Sequence, residues 1–436
     1  MEQLLHYVWK HRLFPLHELT TTDGQTVEVI DTGLHNSNSG PDFFNAKIKL
    51  NGTLWVGNVE IHDQSTDWYL HGHQHDSAYD NVVLHVVGTV NGTTTNSQGK
   101  TITQLQLDVP PYVRNNYHEL FTTDRYPPCY KVIPTLSRLM VHSWMTTLQT
   151  ERLEQKTEAI QYRASIGTGD WEAALFITLA RNFGFGINGE AFEQWGKSIS
   201  LQMVGRHRDN PFQIEALFMG QAGLLQTESI PDRYQEAAEK DPYFQQLQRE
   251  YQFLAHKYSL QPIRHQLWRF MRLRPQNFPH IRIAQLAHLY CSGHLNLSKL
   301  VECTNTDQIA ALMQTQVTEY WKTHYGFGVP SSFNEKHLSA QSLRLLIINT
   351  AVPMLFAYGR HLSNDRLCER ALSLLEQLKP EDNTIIRLWK EVGLTVDHAG
   401  DSQALIQLKS RYCDHKDCLR CRFGYEYLRQ NREIKN

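Results

Sequence analysis

Long apolar runs are missing from this 436-residue chain. None reaches the roughly 18 residues that a spanning helix needs, so no membrane segment is expected. Excess charge of either sign is missing too. Lys and Arg total 43 against 45 Asp and Glu, a formal net charge of −2. That excludes whole-surface attraction to a polyanion and confines any nucleic-acid contact to a local patch. No fixed repeat period marks a helical solenoid. No Walker-type glycine loop or dinucleotide fingerprint marks a nucleotide-binding fold. Cysteine is sparse, odd in number at seven, and unevenly spread. This fits a reduced interior better than a disulfide scaffold. The opening MEQLLHYVWKHRLF mixes polar residues into its apolar pattern and does not read as a signal peptide. The expected location is the cytoplasm, where the sequons at Asn51 and Asn91 carry no weight.

What is present reads as a globular chain, 41% hydrophobic and 20% charged, long enough for two or three domains. Leu4, Leu5, Val8 and Trp9 are spaced for a first helix over 2–14, ended by Pro15. Alternating or β-branched runs predict strands over 27–31, 42–50, 54–62, 81–90 and 101–109. The stretch 67–79 reads as either a helix or an ordered loop. From about residue 136 the period becomes helical, with segments such as 136–160, 170–183, 262–273, 279–290 and 338–349 separated by Gly, Pro, Asn and Asp. The expected class is α+β. An α/β unit of α-β-β-β-α-β order spans 1–130, a mostly helical domain 131–400, and a cysteine-containing segment 401–436.

The chemistry concentrates between Gly40 and Val87. Asp42 opens one strand, Asn51-Gly52 is a two-residue hairpin signal, and Glu60-Ile61-His62 ends the next strand. Side chains alternate along a strand, so Glu60 and His62 share a face. Asp42, Glu60 and His62 are thereby expected to meet. Two carboxylates suit a hard cation such as Mg²⁺ or Mn²⁺, and a neighbouring base can act on a metal-bound water. His71, His73 and His75 with Asp76, and His85 in the apolar strand, could also supply zinc ligands, with His71 and His85 the preferred metal candidates. Closely spaced histidines on a strand are also a feature of cupin-like barrels. The bland alternative is a polar rim, with His85 hydrogen-bonded in the core.

Further on, Cys413, Cys418 and Cys421 have C-x₄-C-x₂-C spacing. With Cys129 as fourth ligand, or His415 as second choice, they could hold zinc or an iron–sulfur cluster. Between Glu250 and Glu302 no Asp or Glu occurs, while Arg264, Arg269, Arg272, Arg274 and Arg282 lie there among Trp268, Phe270 and Phe278. Arginines beside aromatics suit a nucleic-acid groove. The same aromatics could equally be core.

The element order, with Pro41-Asp42 followed by Glu60-x-His62, resembles the PD-(D/E)xK nuclease superfamily. That resemblance implies that Asp42 and Glu60 bind metal and that His62 stands where lysine is usual, without lysine's fixed charge. The split cysteine arrangement resembles that of iron–sulfur nucleases related to helicase-linked and CRISPR-adaptation enzymes. The segments Gly-Pro-Asp-Phe, Asn-Val-Glu-Ile-His, Leu-His-Val-Val, Arg-Leu-Arg-Pro-x-Asn-Phe-Pro and the final cysteines resemble, over nearly the whole chain, an uncharacterised bacterial family of unknown function. The expected activity is metal-dependent phosphodiester hydrolysis of DNA or RNA. Two alternatives stand beside it: a catalytically degenerate nuclease fold that binds nucleic acid or protein, and a His-rich zinc or cupin-like enzyme acting on a small molecule.

Overall fold

The computed structural model describes residues 2–14, 19–36, 38–166 and 169–430. It is α+β, with a sheet-containing region first and a mostly helical region after it. The chain forms two compact units. One comprises residues 1–141, 388–394 and 408–436, the other 142–387 and 395–407.

In the first unit, helix α1 (Glu2–Lys10) buries Leu4, Leu5, Tyr7, Val8 and Trp9 and packs on the sheet. The approach is close at Gly88, where an added Cβ would lie 3.2 Å from Leu5 Cδ1 and 3.1 Å from the Asp63 carbonyl. The expected terminator, Pro15, lies outside the described residues. The seven strands are β1 (Leu19–Thr20), β2 (Thr26–Asp31), β3 (Leu34–His35), β4 (Phe43–Leu50), β5 (Thr53–Gln64), β6 (Val82–Thr89) and β7 (Gln104–Gln106). Their order is β1-β2-β4-β5-β6-β7, with β3 also on β4.

The β4–β5 hairpin turns at Asn51 and Gly52, both at positive φ (47° and 83°). This matches the right-handed twist of the strands, and Leu50 faces Thr53. The register then jumps between Phe43 and Ala46, where Asn45 is left-handed (φ 54°), a bulge of the kind that re-aims side chains. β5 and β6 are parallel, with Glu60 beside His85, as are β6 and β7. The strand expected over 101–109 is cut to three residues. Thr101 instead pairs with Thr95 in an isolated bridge, and Pro110-Pro111 opens a helix, α3 (Pro111–Thr122). A hydrogen bond from the Thr22 N–H to the Gln104 carbonyl (2.9 Å) ties β7 back toward the first strands. The stretch 67–79 is one helical turn, α2 (Asp67–Leu70), and two 3₁₀ turns at His73–His75 and Ser77–Tyr79.

The C-terminal described residues, up to Gln430, complete this unit. A closing helix, Arg422–Leu428, packs on α3. There the Asn116 carboxamide donates to the carbonyls of Tyr427, Leu428 and Gln430 at 3.1, 3.2 and 2.9 Å.

The second unit is built of helices around one large apolar core. The segment expected to be helical over 262–273 is not. Pro262 and Pro275 lack N–H donors, Arg272 is left-handed (φ 62°), and the chain is pinned from outside. Ile263 N–H donates to the Gln221 carbonyl (2.9 Å), Trp268 Nε1 to the Ala222 carbonyl (2.7 Å), and the Asn188 side chain brackets Arg269. The helical stretch 340–361 is long and apolar enough to cross a membrane by length and composition, but 67% of its most apolar window is buried in the unit. It is a core helix. Its π-turn, Ile347–Ala351, precedes Pro353, which leaves a carbonyl unserved. The Asn349 carbonyl receives the Asn182 carboxamide instead (2.8 Å).

Candidate metal centre

The hairpin register places Phe43 opposite Val59, so Asp42 and Glu60 come together although 18 positions apart. They interlock through each other's backbone. The Asp42 N–H donates to Glu60 Oε2 (3.0 Å), and the Ile61 N–H donates to Asp42 Oδ2 (2.9 Å). Val59 and Ile61 fill the apolar core behind them. The expected cleft is more enclosed than a surface hairpin would be, since Glu60 is 5% and His62 1% exposed.

Imidazoles surround the pair. Glu60 Oε1 lies 3.2 Å from His73 Nε2 and 3.6 Å from His62 Nε2. His62 Nε2 faces His71 Nδ1 at 3.0 Å, and its Nδ1 faces His85 Nε2 at 2.9 Å. The ligand atoms of His62, His71 and His73 all lie within 4.8 Å of one another. His85 has its second nitrogen near Thr94 Oγ1 (3.4 Å), and the Gln104 amide donates to that hydroxyl (3.2 Å). Both nitrogens of His85 are therefore engaged, which makes it an orienting neighbour of His62. His75 and Asp76 stay outside the nest. Both are exposed, and Asp76 caps the next turn through the Ala78 N–H (2.9 Å).

Three participants carry no local signal in the sequence. His6, on α1, stands 3.5 Å from Asp42 Oδ2, brought there by the docking of that helix. Tyr79 stacks on His73, with ring centroids 3.8 Å apart, while buried Trp68 meets His73 and His85 edge-on or tilted.

The electrostatics follow from this crowding. Burial first, and then Glu60, push the Asp42 carboxyl up to about 7. Burial first, and then neighbouring imidazoles, bring His62 down to about 2 and His85 to about 3, so both rings are neutral at physiological pH. Burial and His35 bring His6 down to about 4. Among the described residues no lysine or arginine forms an ion pair with Asp42 or Glu60.

The five arginines are in the second unit, and the fold divides them. Arg264, Arg269, Arg272 and Arg274 are exposed on the irregular segment. Arg282 is not available to a polyanion. It is 5% exposed, spends its guanidinium on Gln285 Oε1 (2.8 Å) and Asn277 Oδ1 (2.6 Å), and lies over the Phe185 ring. Trp268 is core, and Phe270 packs against Phe278. Arg269 also borders an 820 Å³ cavity, with Arg181, Gln194 and Asn349.

A family model described as "Protein of unknown function (DUF2851)" matches residues 2–384. The chain belongs to the DUF2851 family. No curated protein and no solved structure matches it. The DUF2851 match takes in Asp42, Glu60, all the histidines of the nest and Cys129, and stops before Cys413, Cys418 and Cys421.

Proposed function

We propose that the nest is a divalent-metal centre that hydrolyses phosphodiesters in nucleic acid. One observation carries the reading: the buried Glu60 and the half-buried Asp42 are locked together beside the imidazoles of His62 and His73, and among the described residues no lysine or arginine is paired to either acid. Placing like charges together in a low-dielectric site is costly unless a cation joins them. Glu60, His62, His71 and His73 present the convergent ligand atoms, and Asp42 adds the second carboxylate. A mixed oxygen and nitrogen donor set suits Mn²⁺ better than Mg²⁺. When bound, the ion would acidify a water and polarise the phosphoryl oxygen. Asp42 and Glu60 supply the negative charge, His85 orients His62, and Tyr79 and Trp68 wall the site from bulk water.

The choice of phosphodiester rests on the PD-(D/E)xK-like placement of Asp42 and Glu60-x-His62 on a hairpin followed by a parallel strand. It rests also on the exposed arginines of the acid-free interval. The direct test is purified full-length protein with Mn²⁺ on labelled single- and double-stranded DNA and RNA. Glu60→Gln is expected to lower cleavage more than about 100-fold, and equal activity in Glu60→Gln and the wild type would refute the site. Arg272→Ala with Arg274→Ala is expected to weaken binding and to make the salt slope shallower by about one for each phosphate that is no longer gripped. Salt-sensitive binding without turnover would instead identify a degenerate binding module.

A second reading is favoured by the imidazole triad: zinc-dependent hydrolysis of a small molecule. Zinc-loaded protein that turns over a small ester and leaves nucleic acid intact would select it.

A further inference from the structure

Three of the seven cysteines are used singly. Cys291, Cys303 and Cys368 lie in the helical unit, where Cys303 Sγ donates to the Lys299 carbonyl (3.3 Å) and Cys368 Sγ to the Phe356 carbonyl (3.7 Å). The other four gather in the sheet unit, although 284 positions separate Cys129 from Cys413 in the sequence (413 − 129). Cys129 is in electrostatic range of Cys413, Cys418 and Cys421, and Cys413 is in range of Cys418 and Cys421. Tyr126, three residues before Cys129, bridges the two ends of the set. Its hydroxyl receives Trp389 Nε1 (3.1 Å) and hydrogen-bonds with Cys413.

The backbone that presents the C-terminal trio is fixed. Residues 409–413 form a π-turn, and the chain then reverses through Lys416 in the left-handed region (φ 54°). The Asp417 N–H closes this loop on the Tyr412 carbonyl (2.9 Å) and the Lys416 N–H on the Cys413 carbonyl (3.1 Å). Lys416 Nζ holds the Phe121 carbonyl (3.1 Å). Cys418 and Cys421 are joined by a turn in which the Cys421 N–H approaches the Cys418 carbonyl (3.3 Å). Gly424 lies so close that an added Cβ would sit 2.1 Å from that carbonyl. Residues 414–417, Asp-His-Lys-Asp, offer no apolar side chain to hold such a loop. Short loops that present cysteines without a core of their own are typical of metal-bound turns.

We propose that Cys129, Cys413, Cys418 and Cys421 form a four-thiolate site for a thiophilic metal centre, either a zinc ion or an iron–sulfur cluster, that fastens the C-terminal segment to the sheet unit. Four sulfurs complete a tetrahedral zinc shell or the outer ligands of a cluster. For zinc the balance is one Zn²⁺ taken up and four thiol protons released to solvent. The centre is separate from the histidine nest, and its ligands are soft where those of the nest are mixed oxygen and nitrogen.

The test uses full-length protein purified without oxygen or chelator. It combines elemental analysis for zinc and iron, acid-labile sulfide assay, a visible spectrum and native mass spectrometry. Stoichiometric zinc without visible colour identifies the mononuclear site. Iron with matching sulfide and broad visible absorption identifies the cluster. Cys129→Ser and Cys421→Ser are expected to lose more than nine-tenths of that metal, and Cys303→Ser to keep it. Asp42→Asn is expected to retain the thiolate-bound metal, so failure at the nest and failure here are told apart. Wild-type protein with no zinc or iron by native mass overturns the proposal, even if the serine variants fail to fold. So does metal that persists in Cys129→Ser and departs in His73→Ala.

Discussion

Glu60 in the sheet unit and Glu215 in the helical unit are both withdrawn from water, 5% and 1% exposed, yet their surroundings differ in kind. Glu215 is served by neutral donors that belong to the fold. Tyr243 OH reaches it at 2.9 Å, Thr318 Oγ1 at 3.0 Å, and Trp321 Nε1 completes the set. Nearby in the sequence, the Glu193 carboxylate is matched by Arg163, Arg181 and Lys197. These acids are finished by their neighbours. Glu60 instead accepts the Asp42 N–H and sits beside a second acid and the imidazoles of His62 and His73, groups that can themselves serve as metal ligands. A buried acid that the fold satisfies serves architecture, whereas one set among other potential ligands is what the proposed metal centre requires.

The largest effect that sharpens this contrast is expected at Glu215. Glu215→Ala strands the buried Trp321 donor and the half-buried Tyr243 and Thr318 hydroxyls, and urea unfolding should show a loss of about 3–5 kcal/mol. Next comes the response to metal. Mn²⁺ at about 100 times its Kd should stabilise the wild type by about 2.7 kcal/mol. Glu60→Gln should abolish that gain while unfolding no more easily than the wild type without metal. A Glu60→Gln variant that is severely destabilised without metal would erase the distinction between the two acids.

The smallest effect concerns an exception within the helical unit. His280 is buried among Phe270, Trp321 and Phe327, and neither of its nitrogens has a hydrogen-bond partner. Burial lowers it from 6.5 to about 4. A depressed folded value means that its contribution is intact above pH 6.5 and is lost as pH falls from there toward 4. Between pH 6.5 and 5.5 that loss is roughly 1 kcal/mol. His280→Phe should remove this part of the acid sensitivity, seen as a flatter plot of unfolding free energy against pH. An unchanged slope would show that His280 is satisfied after all.

Much of the site can be read from the sequence because its signals are local. Asn51-Gly52 fixes the hairpin, the hairpin fixes the register, and the register brings Asp42 to Glu60. His6 has no such route, since only the packing of α1 on the sheet brings it to Asp42. His73 is one of several histidines in a stretch whose turns have no period, so local sequence offers no ground for preferring it over His75. Arg282 misleads for the opposite reason. It lies in a run of arginines, and only the fold shows that it sits in the first turn of a helix buried from Pro279 to Ala287. The irregular path of 259–278 is set by distant partners, Gln221, Ala222 and Asn188, and no window of local sequence contains them.

The sheet unit is discontinuous, and that has a consequence during synthesis. Its strands leave the ribosome before the helical unit, but the helix that covers α3 and the carbonyls that Asn116 grips are made after that unit. The nascent N-terminal portion must therefore wait, incomplete on one flank, while the whole helical unit is translated. A truncation before Arg422 would therefore injure strands made long before it.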